Sequence, residues 1–91
     1  MITAFVLLDV EVARVADVAD QLCDLPGVRE VYSVTGRYDL IVKVAVTANE
    51  ELADVVTGGI ARLPGITSSE TVIAFRTHSP RLLDEGFALG D

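Results

Sequence analysis

The sequence predicts a single α+β domain in which a strand–helix–strand unit occurs twice. Short apolar runs of strand length alternate with stretches whose apolar residues recur at helical spacing. A Leu-Pro-Gly, at residues 25–27 and again at 63–65, follows each helical stretch and precedes a β-branched residue. The order βαββαβ with this internal echo is the ferredoxin-like arrangement. Right-handed crossovers then place both helices on one face of a four-stranded antiparallel sheet.

The first half opens with an apolar run at residues 3–8 (TAFVLL), which predicts a strand. Residues 11–24 change to the helical period, with polar side chains on the face away from the sheet. The apolar stripe of this helix consists of Val12, Val15, Ala16, Ala19, Leu22 and Cys23. On that stripe, Cys23 is expected to be a small buried hydrophobic residue rather than a reactive thiol. Pro26 removes a backbone donor and Gly27 is conformationally permissive, so the helix ends before them.

A hairpin of two strands follows. Residues 28–35 and 38–46 are both strand-like, and only Gly36 and Arg37 separate them, so antiparallel pairing is the simplest arrangement. Because side chains alternate along a strand, four residues of the later strand are expected under the helices: Leu40, Val42, Val44 and Val46.

The second helix begins at a predicted capping box, residues 47–50, in which the Thr47 hydroxyl and the Glu50 carboxylate each satisfy a backbone N–H. Gly58 and Gly59 inside this helix indicate close packing of its backbone on a strand, or a kink. The second Leu-Pro-Gly ends the helix, and residues 71–78 form the predicted fourth strand. The apolar positions of the helix are Leu52, Val55, Val56, Ile60 and Leu63.

The face of the sheet away from the helices is predicted to be apolar as well. Two short helices cannot cover all the remaining apolar strand residues, so several are expected on this helix-free face. They are Phe5, Leu7, Val34, Ile41 and Ala45. The sheet of a second copy is the simplest cover, as in dimeric α+β barrels. The domain is assigned to residues 1–79, and residues 80–91 to a tail that is an arm over a neighbour, a final helical turn or disordered.

Composition limits the classes of function. The chain has 91 residues, of which 51% are hydrophobic; this is more than one small core buries and indicates an oligomer. With 14 acidic and 7 basic side chains the net charge is −7, so direct binding to nucleic acid is not expected. The single cysteine fits a reducing compartment, the N-terminus lacks a basic signal-peptide region, and no apolar run reaches membrane-spanning length. We therefore expect a cytoplasmic protein without membrane contact.

No cofactor, metal site or catalytic set is predicted. His78 is the only histidine, and a metal site needs several ligands at consistent spacing. A glycine-rich phosphate loop after a strand is also absent from the sequence.

The run LPGVREVYSVTGRYDLIVKV, residues 25–44, resembles the effector-binding (RAM) domain of the Lrp/AsnC regulators. The matching features are the Pro-Gly-Val after the first helix, the V-T-G-x-Y-D-L turn at residues 34–40 and the second Leu-Pro-Gly before the last strand. The resemblance covers residues 2–78. Most members of that family also carry an N-terminal helix-turn-helix domain. With a strand that starts at Thr3, we expect a stand-alone version of the ligand-binding domain here.

The resemblance implies domains that dimerise through their sheets and associate further into octamers or similar rings. It also implies small effectors, typically amino acids, bound between dimers. The family pocket is bordered by the position of Asp39 and by the start of the last strand, at Thr71, Val72 and Ile73. A full-length Lrp/AsnC regulator is an additional candidate partner.

The chemistry of a free amino acid fits the turn. Its ammonium needs an acceptor and its carboxylate needs donors. Asp39 could be the acceptor, while Arg37 and the backbone amides around Gly36 could be donors, and Ser69 and Thr71 offer hydroxyl groups.

Each of these residues also has a purely structural interpretation. Gly36 suits a turn with positive φ, Asp39 can cap the hairpin or pair with a nearby cation, and Arg37 can be an exposed turn residue. Tyr38 is more typical of an aromatic residue at an edge or interface than of a ligand contact, and Ser68 and Ser69 are typical of loop residues.

Three functions follow from this interpretation. The leading one is a sensing and assembly module that binds an amino acid or a related metabolite. The second is a small cofactor-free monooxygenase of the dimeric α+β barrel type, which would use the helix-free face as its substrate cavity. The third is a ligand-free assembly partner of full-length Lrp/AsnC regulators.

Overall fold

The computed structural model describes residues 1–80 of the chain. Within them, four strands and two α-helices follow the order βαββαβ. The strands are β1 (Ile2–Val10), β2 (Val28–Ser33), β3 (Leu40–Val46) and β4 (Ile66–Ala74). The helices are α1 (Val15–Cys23) and α2 (Asn49–Gly58), with a 3-10 turn before α1 (Val12–Arg14) and another after α2 (Ile60–Arg62). The strands pair antiparallel in the order β2-β3-β1-β4, which confirms the ferredoxin-like fold.

The core lies between the sheet and the two helices. Alternate residues of the two central strands are buried there, and β3 presents the four residues that the sequence predicts. The largest contributions from the helical side come from Val18, Leu22 and Ile60, each at most 1% exposed. The buried strand residues are Ala4, Val6, Leu8 and Val10 of β1 and Leu40, Val42, Val44 and Val46 of β3.

The buried stripe of α1 differs from the predicted one. Val12 is 93% exposed, Ala16 and Cys23 are also exposed, and Val18, which the prediction left out, is fully buried. Val12 lies in the 3-10 turn at Val12–Arg14, before α1 begins, so it is out of phase with the helical pattern. Within α1, Val18 and Leu22 are buried, and Val15 and Ala19 are partly buried against the core. The prediction that Cys23 is buried is therefore wrong.

The start of α2 is stabilised by Glu51 rather than by Glu50. The Oε1 atom of Glu51 accepts the N–H groups of Thr47 at 2.7 Å and of Ala48 at 3.2 Å. The Thr47 hydroxyl donates to the same oxygen at 2.8 Å instead of accepting a backbone N–H. Ala48 is the N-cap residue, so the third helical position is Glu51 and the predicted box is displaced by one residue.

Of the glycine pair at the end of α2, Gly59 packs tightly but not on a strand, whereas a Cβ on Gly58 would meet nothing within 4 Å. A Cβ on Gly59 would lie 3.2 Å from the Leu25 Cδ1 atom and 2.8 Å from the Val55 carbonyl oxygen. The close approach is therefore to the turn between α1 and β2, and α2 ends at Gly58.

Two strand boundaries also differ from the prediction. β4 starts directly after the second Leu-Pro-Gly, at Ile66, and ends at Ala74, whereas the prediction placed it at residues 71–78. β2 ends at Ser33 and β3 begins at Leu40, so the hairpin has a six-residue loop, residues 34–39, instead of a two-residue turn. The Val34 N–H donates to the Asp39 carbonyl across this loop at 3.1 Å. Neither helix within residues 1–80 is long and apolar enough to cross a membrane.

The helix-free face carries the predicted apolar residues. Phe5, Leu7 and Ile41 are half-buried there, and Ala45 is 9% exposed. Tyr32 and Val72, each 44% exposed, extend the apolar surface to both edges of the sheet. Val34 is half-buried in the β2–β3 loop. Of the predicted tail, only Pro80 belongs to the described residues.

Candidate functional site

The β2–β3 loop (residues 34–39) is held against the end of β1 by Asp39. The β1–β3 ladder ends at the pair Leu8–Leu40. One residue beyond it, Asp39 N–H donates to the Leu8 carbonyl at 2.9 Å. The Asp39 carboxylate then accepts Val10 N–H through Oδ2 at 2.8 Å. Asp39 therefore extends the ladder with its side chain and sets the position of the loop.

Arg37 joins the loop to the helix-free face through Asp9. Its Nη1 atom donates to Asp9 Oδ2 at 3.1 Å, and Ser68 Oγ donates to the same oxygen at 2.5 Å. The hydrogen bond from Ser68 is the largest effect and lowers the pKa of Asp9 below its usual range; desolvation opposes it, and the bond and charge of Arg37 add smaller lowering effects. The Asp9 side chain is 24% exposed, whereas that of Arg37 is 71% exposed.

Tyr38 extends the contact of the loop to β4. Its hydroxyl donates to Glu70 Oε1 at 2.5 Å, and this bond raises the pKa of Tyr38 above its usual range. The Arg37 guanidinium lies over the Tyr38 ring, 4.7 Å from its centroid. Together, Asp9, Arg37, Tyr38, Ser68 and Glu70 form a polar cluster at one end of the sheet.

The register of the sheet explains why this cluster forms. Asp9 is opposite Ser68, and Leu7 is opposite Glu70, so the side chains of these pairs share the helix-free face. Asp9 and Glu70 are not predicted as site residues from the sequence, because they contact the loop only once β1 and β4 are paired. In the sequence, both residues are recognisable only as polar residues at alternate positions of two strands.

The predicted residues of the last strand fall on both faces of β4. Val72 is opposite Phe5 on the helix-free face, the face of the polar cluster. Ser69, Thr71 and Ile73 are opposite Leu8, Val6 and Ala4, respectively, and so lie on the helix side. They are exposed, Ile73 by 54%, because β4 is an edge strand. Gly36, at the exposed tip of the loop, has φ +104°.

Residues 3–83 match the model of the Lrp/AsnC ligand binding domain. The chain belongs to the Lrp/AsnC family. Among curated proteins it is similar to the HTH-type transcriptional regulator FL11 of Pyrococcus horikoshii, with 36% identity over 75 residues. That match covers 82% of this chain and 49% of the regulator, so the chain spans about half the length of the curated relatives it matches.

Two solved structures illustrate the range of likeness within this fold. TTHA0845 from Thermus thermophilus is 49% identical, with a TM-score of 0.83 over 88% of this Lrp/AsnC chain and 100% of that one. The transcriptional regulator NMB0573 of Neisseria meningitidis, solved as a complex with L-Met, is 17% identical and shares the fold alone. Its TM-score is 0.76, over 92% of this chain and 58% of that one.

The Lrp/AsnC domain shows no metal centre in its described part. Among residues 1–80, no three side chains of the His, Cys, Asp and Glu types come together as a metal site. His78 is exposed after the end of β4, and Cys23 is exposed at the end of α1.

Proposed function

We propose that this Lrp/AsnC domain is a small-ligand sensing and assembly module that binds an amino acid or a related metabolite between dimers. The observation that carries the proposal is the hydrogen bond from Tyr38 to Glu70. It holds the loop with the V-T-G-x-Y-D-L motif against β4. The two segments that are predicted to border the ligand, this loop and β4, therefore lie side by side at one end of the sheet. The module is regulatory rather than enzymatic, in keeping with the transcriptional regulators that it matches.

The exposed groups of the loop suit a zwitterion. Arg37 uses Nη1 for Asp9 and has further N–H donors for a ligand carboxylate. The exposed Asp39 uses Oδ2 for Val10 N–H, and a carboxylate has additional acceptor sites for an ammonium group. The loop thus carries one donor and one acceptor that are positioned by other contacts before a ligand arrives.

The placement of β4 favours a site shared by several protomers. Thr71 and Ile73 are exposed on the helix side of β4, whereas the polar cluster lies on its helix-free side. One protomer therefore does not enclose a ligand with both sets of residues. A neighbouring dimer that contributes its own Ser69, Thr71 and Ile73 would complete the pocket.

The helix-free face is the proposed dimer interface. Phe5, Leu7, Ile41 and Val72 form a continuous apolar strip across β3, β1 and β4. The sheet of a second copy would remove this strip from water, and such burial drives association. The dimers would then assemble into an octamer or a similar ring.

An amino-acid panel is the direct test of ligand binding. L-Met is the first compound to include, because the meningococcal regulator with the same fold was solved with it. A ligand changes assembly only if it binds one assembly more tightly than another. We expect at least one amino acid to raise the thermal stability and to shift the oligomer distribution in native mass spectrometry. If no amino acid changes either one, the sensing function is wrong and a ligand-free assembly partner remains.

Two tyrosine variants localise the site. Tyr38→Phe removes the hydroxyl that holds the loop to Glu70, so we expect a smaller ligand-induced change in thermal stability. Tyr32→Phe is the matched control, because the Tyr32 hydroxyl bonds Glu30 on the same face but away from the loop. Equal responses of the two variants would place the ligand elsewhere.

A further inference from the structure

A groove lies at the opposite end of the sheet from the β2–β3 loop. It is bounded by the start of β2, the end of β3 and one side of α2, and its volume is about 510 Å³. Val28, Val46 and Val55 supply apolar walls, and Arg29, Glu51 and Asp54 supply charged groups. We call this the α2 groove. It lies on the helix side of the sheet, so it is not the cavity that the monooxygenase alternative would place on the helix-free face.

Arg29 reaches the α2 groove from an irregular position in β2. Val28 is opposite Val44 and Glu30 is opposite Lys43, so Arg29 is the extra residue of a β-bulge and has no partner residue on β3. A bulge redirects side chains and is frequent beside functional sites. In a regular strand, side chains alternate between the two faces, so Arg29 would point to the face opposite to that of Val28 and Glu30. The bulge breaks this alternation, and the Arg29 side chain lies at the rim of the groove.

The acidic side of the α2 groove has one available carboxylate. Glu51 accepts three hydrogen bonds from Thr47 and Ala48 at the start of α2. Asp54, one turn further along α2, makes none of these bonds and lines the same groove as Arg29. Among residues 1–80 the ion pair is Arg37 with Asp9, so Arg29 and Asp54 are not joined to each other.

We propose that the α2 groove binds a free α-amino acid with an aliphatic side chain. Arg29 donates to the ligand carboxylate, Asp54 accepts from its ammonium group, and the valines contact its side chain. Guanidinium–carboxylate pairs give strong, geometrically specific hydrogen bonds. This site goes beyond the proposed function, because it lies within one protomer and needs neither the β2–β3 loop nor a second dimer.

The test is an NMR titration of the full chain with L-leucine, followed on backbone amide signals. We expect saturable shifts at Gly27, Val28 and Val55. Arg29→Gln and Asp54→Asn should each weaken binding at the groove about tenfold or more, the usual scale for one charged hydrogen bond. Arg62→Gln and Asp20→Asn make the same charge changes at exposed residues outside the groove and should leave groove binding as in the wild type.

Three analogues determine what the α2 groove recognises. 4-Methylpentanoate lacks the ammonium group, 3-methylbutylamine lacks the carboxylate, and N-acetyl-L-leucine amide resembles a residue within a peptide. Each should bind about tenfold or more weaker than L-leucine. If the amide binds as tightly as L-leucine, the groove recognises a polypeptide segment. If either charged analogue binds as tightly as L-leucine, the groove makes only an unspecific apolar contact. Both results overturn the proposal.

The same titration separates this inference from the proposed function. Shifts confined to residues 34–39 and β4, or groove binding unaffected by Arg29→Gln and Asp54→Asn, would overturn the groove site while leaving the loop site intact. Shifts confined to the groove would support it and count against the loop site.

Discussion

Asp39, which is predicted from the sequence to bind a ligand, makes two structural contacts. Its amide donates to Leu8 and its carboxylate accepts from Val10. Asp39 pairs with neither Arg37 nor Lys43, the two cations near it in the sequence; Arg37 is bonded to Asp9 instead. A substitution of Asp39 would therefore alter the position of the whole loop, and loss of ligand binding in such a variant would not by itself show a direct contact.

Two glycines with positive φ differ in their surroundings and give a matched pair of variants. Alanine strains the backbone at both Gly27 (φ +90°) and Gly36 (φ +104°), at about 1–3 kcal/mol each. At Gly27 the new Cβ would also lie 3.0 Å from Val55 Cγ2 and 3.1 Å from Val46 Cγ1, whereas at Gly36 nothing lies within 4 Å. We expect Gly27→Ala to cost about 1–3 kcal/mol more than Gly36→Ala in urea unfolding, since overpacking adds to the strain. Equal losses would show that Val46 and Val55 move aside freely.

The polar cluster should respond to acid through Asp9. Because its pKa is lowered in the folded state, the bonds from Ser68 and Arg37 contribute to stability above the ordinary value of 3.8 and are lost as the pH falls through the folded pKa. Ser68→Ala removes the largest cause of this shift, so the pKa of Asp9 should rise, as measured by NMR of the carboxyl carbon. Ser69→Ala, on the other face of β4, is the control; an equal rise there would contradict the role of Ser68.

At the scale of elements, α2 depends on one carboxylate at its first turn. Glu51→Gln removes the charge that accepts three hydrogen bonds and faces the positive end of the helix dipole. We expect it to lower the melting temperature more than Glu50→Gln, which makes the same change one residue earlier. The difference should diminish at low pH, because the pKa of Glu51 is lowered below 4.5 by the bonds from Thr47 and its contribution is lost on protonation. Equal effects of the two variants on the melting temperature would contradict the capping role of Glu51.

The two edge strands differ in a way that bears on their neighbours. β2 carries a bulge and two adjacent charged residues, Arg29 and Glu30, features that discourage pairing with other strands. β4 has one charged residue, Glu70, and exposes Val72 and Ile73 on opposite faces. This difference is consistent with β4 being the edge where protomers contact one another.

At the scale of the whole molecule, the helix-free face should control assembly and not folding. Leu7→Asp places a charge in the middle of the apolar strip, so we expect a folded monomer by light scattering and circular dichroism. Ile73→Asp, which changes the opposite face of β4, should retain the dimer. A Leu7→Asp protein that remains dimeric would exclude this face as the interface, while an unfolded one would show that Leu7 is needed for the fold itself.

The element order and the shared faces could be read from the sequence because both are local properties. The alternation of β3 and the helical period of α2 depend on residues a few positions apart. Some predictions failed at a local irregularity: the 3-10 turn takes Val12 out of the helical stripe, and the N-cap at Ala48 transfers the capping role to Glu51. Such one-residue displacements are small in energy but reverse the environment of a side chain.

The sequence by itself determined the βαββαβ order, the buried face of β3 and the turn that carries the family motif. Only the tertiary structure decided which side chains meet around that turn. Tyr38 and Glu70 are 32 residues apart, and Asp9 and Ser68 are 59 apart. Their contacts depend on the register of β1 with β3 and β4, and strand register is set by packing of the whole sheet rather than by any local pattern. The same register places Thr71 and Ile73 on the other face of β4, away from the polar cluster.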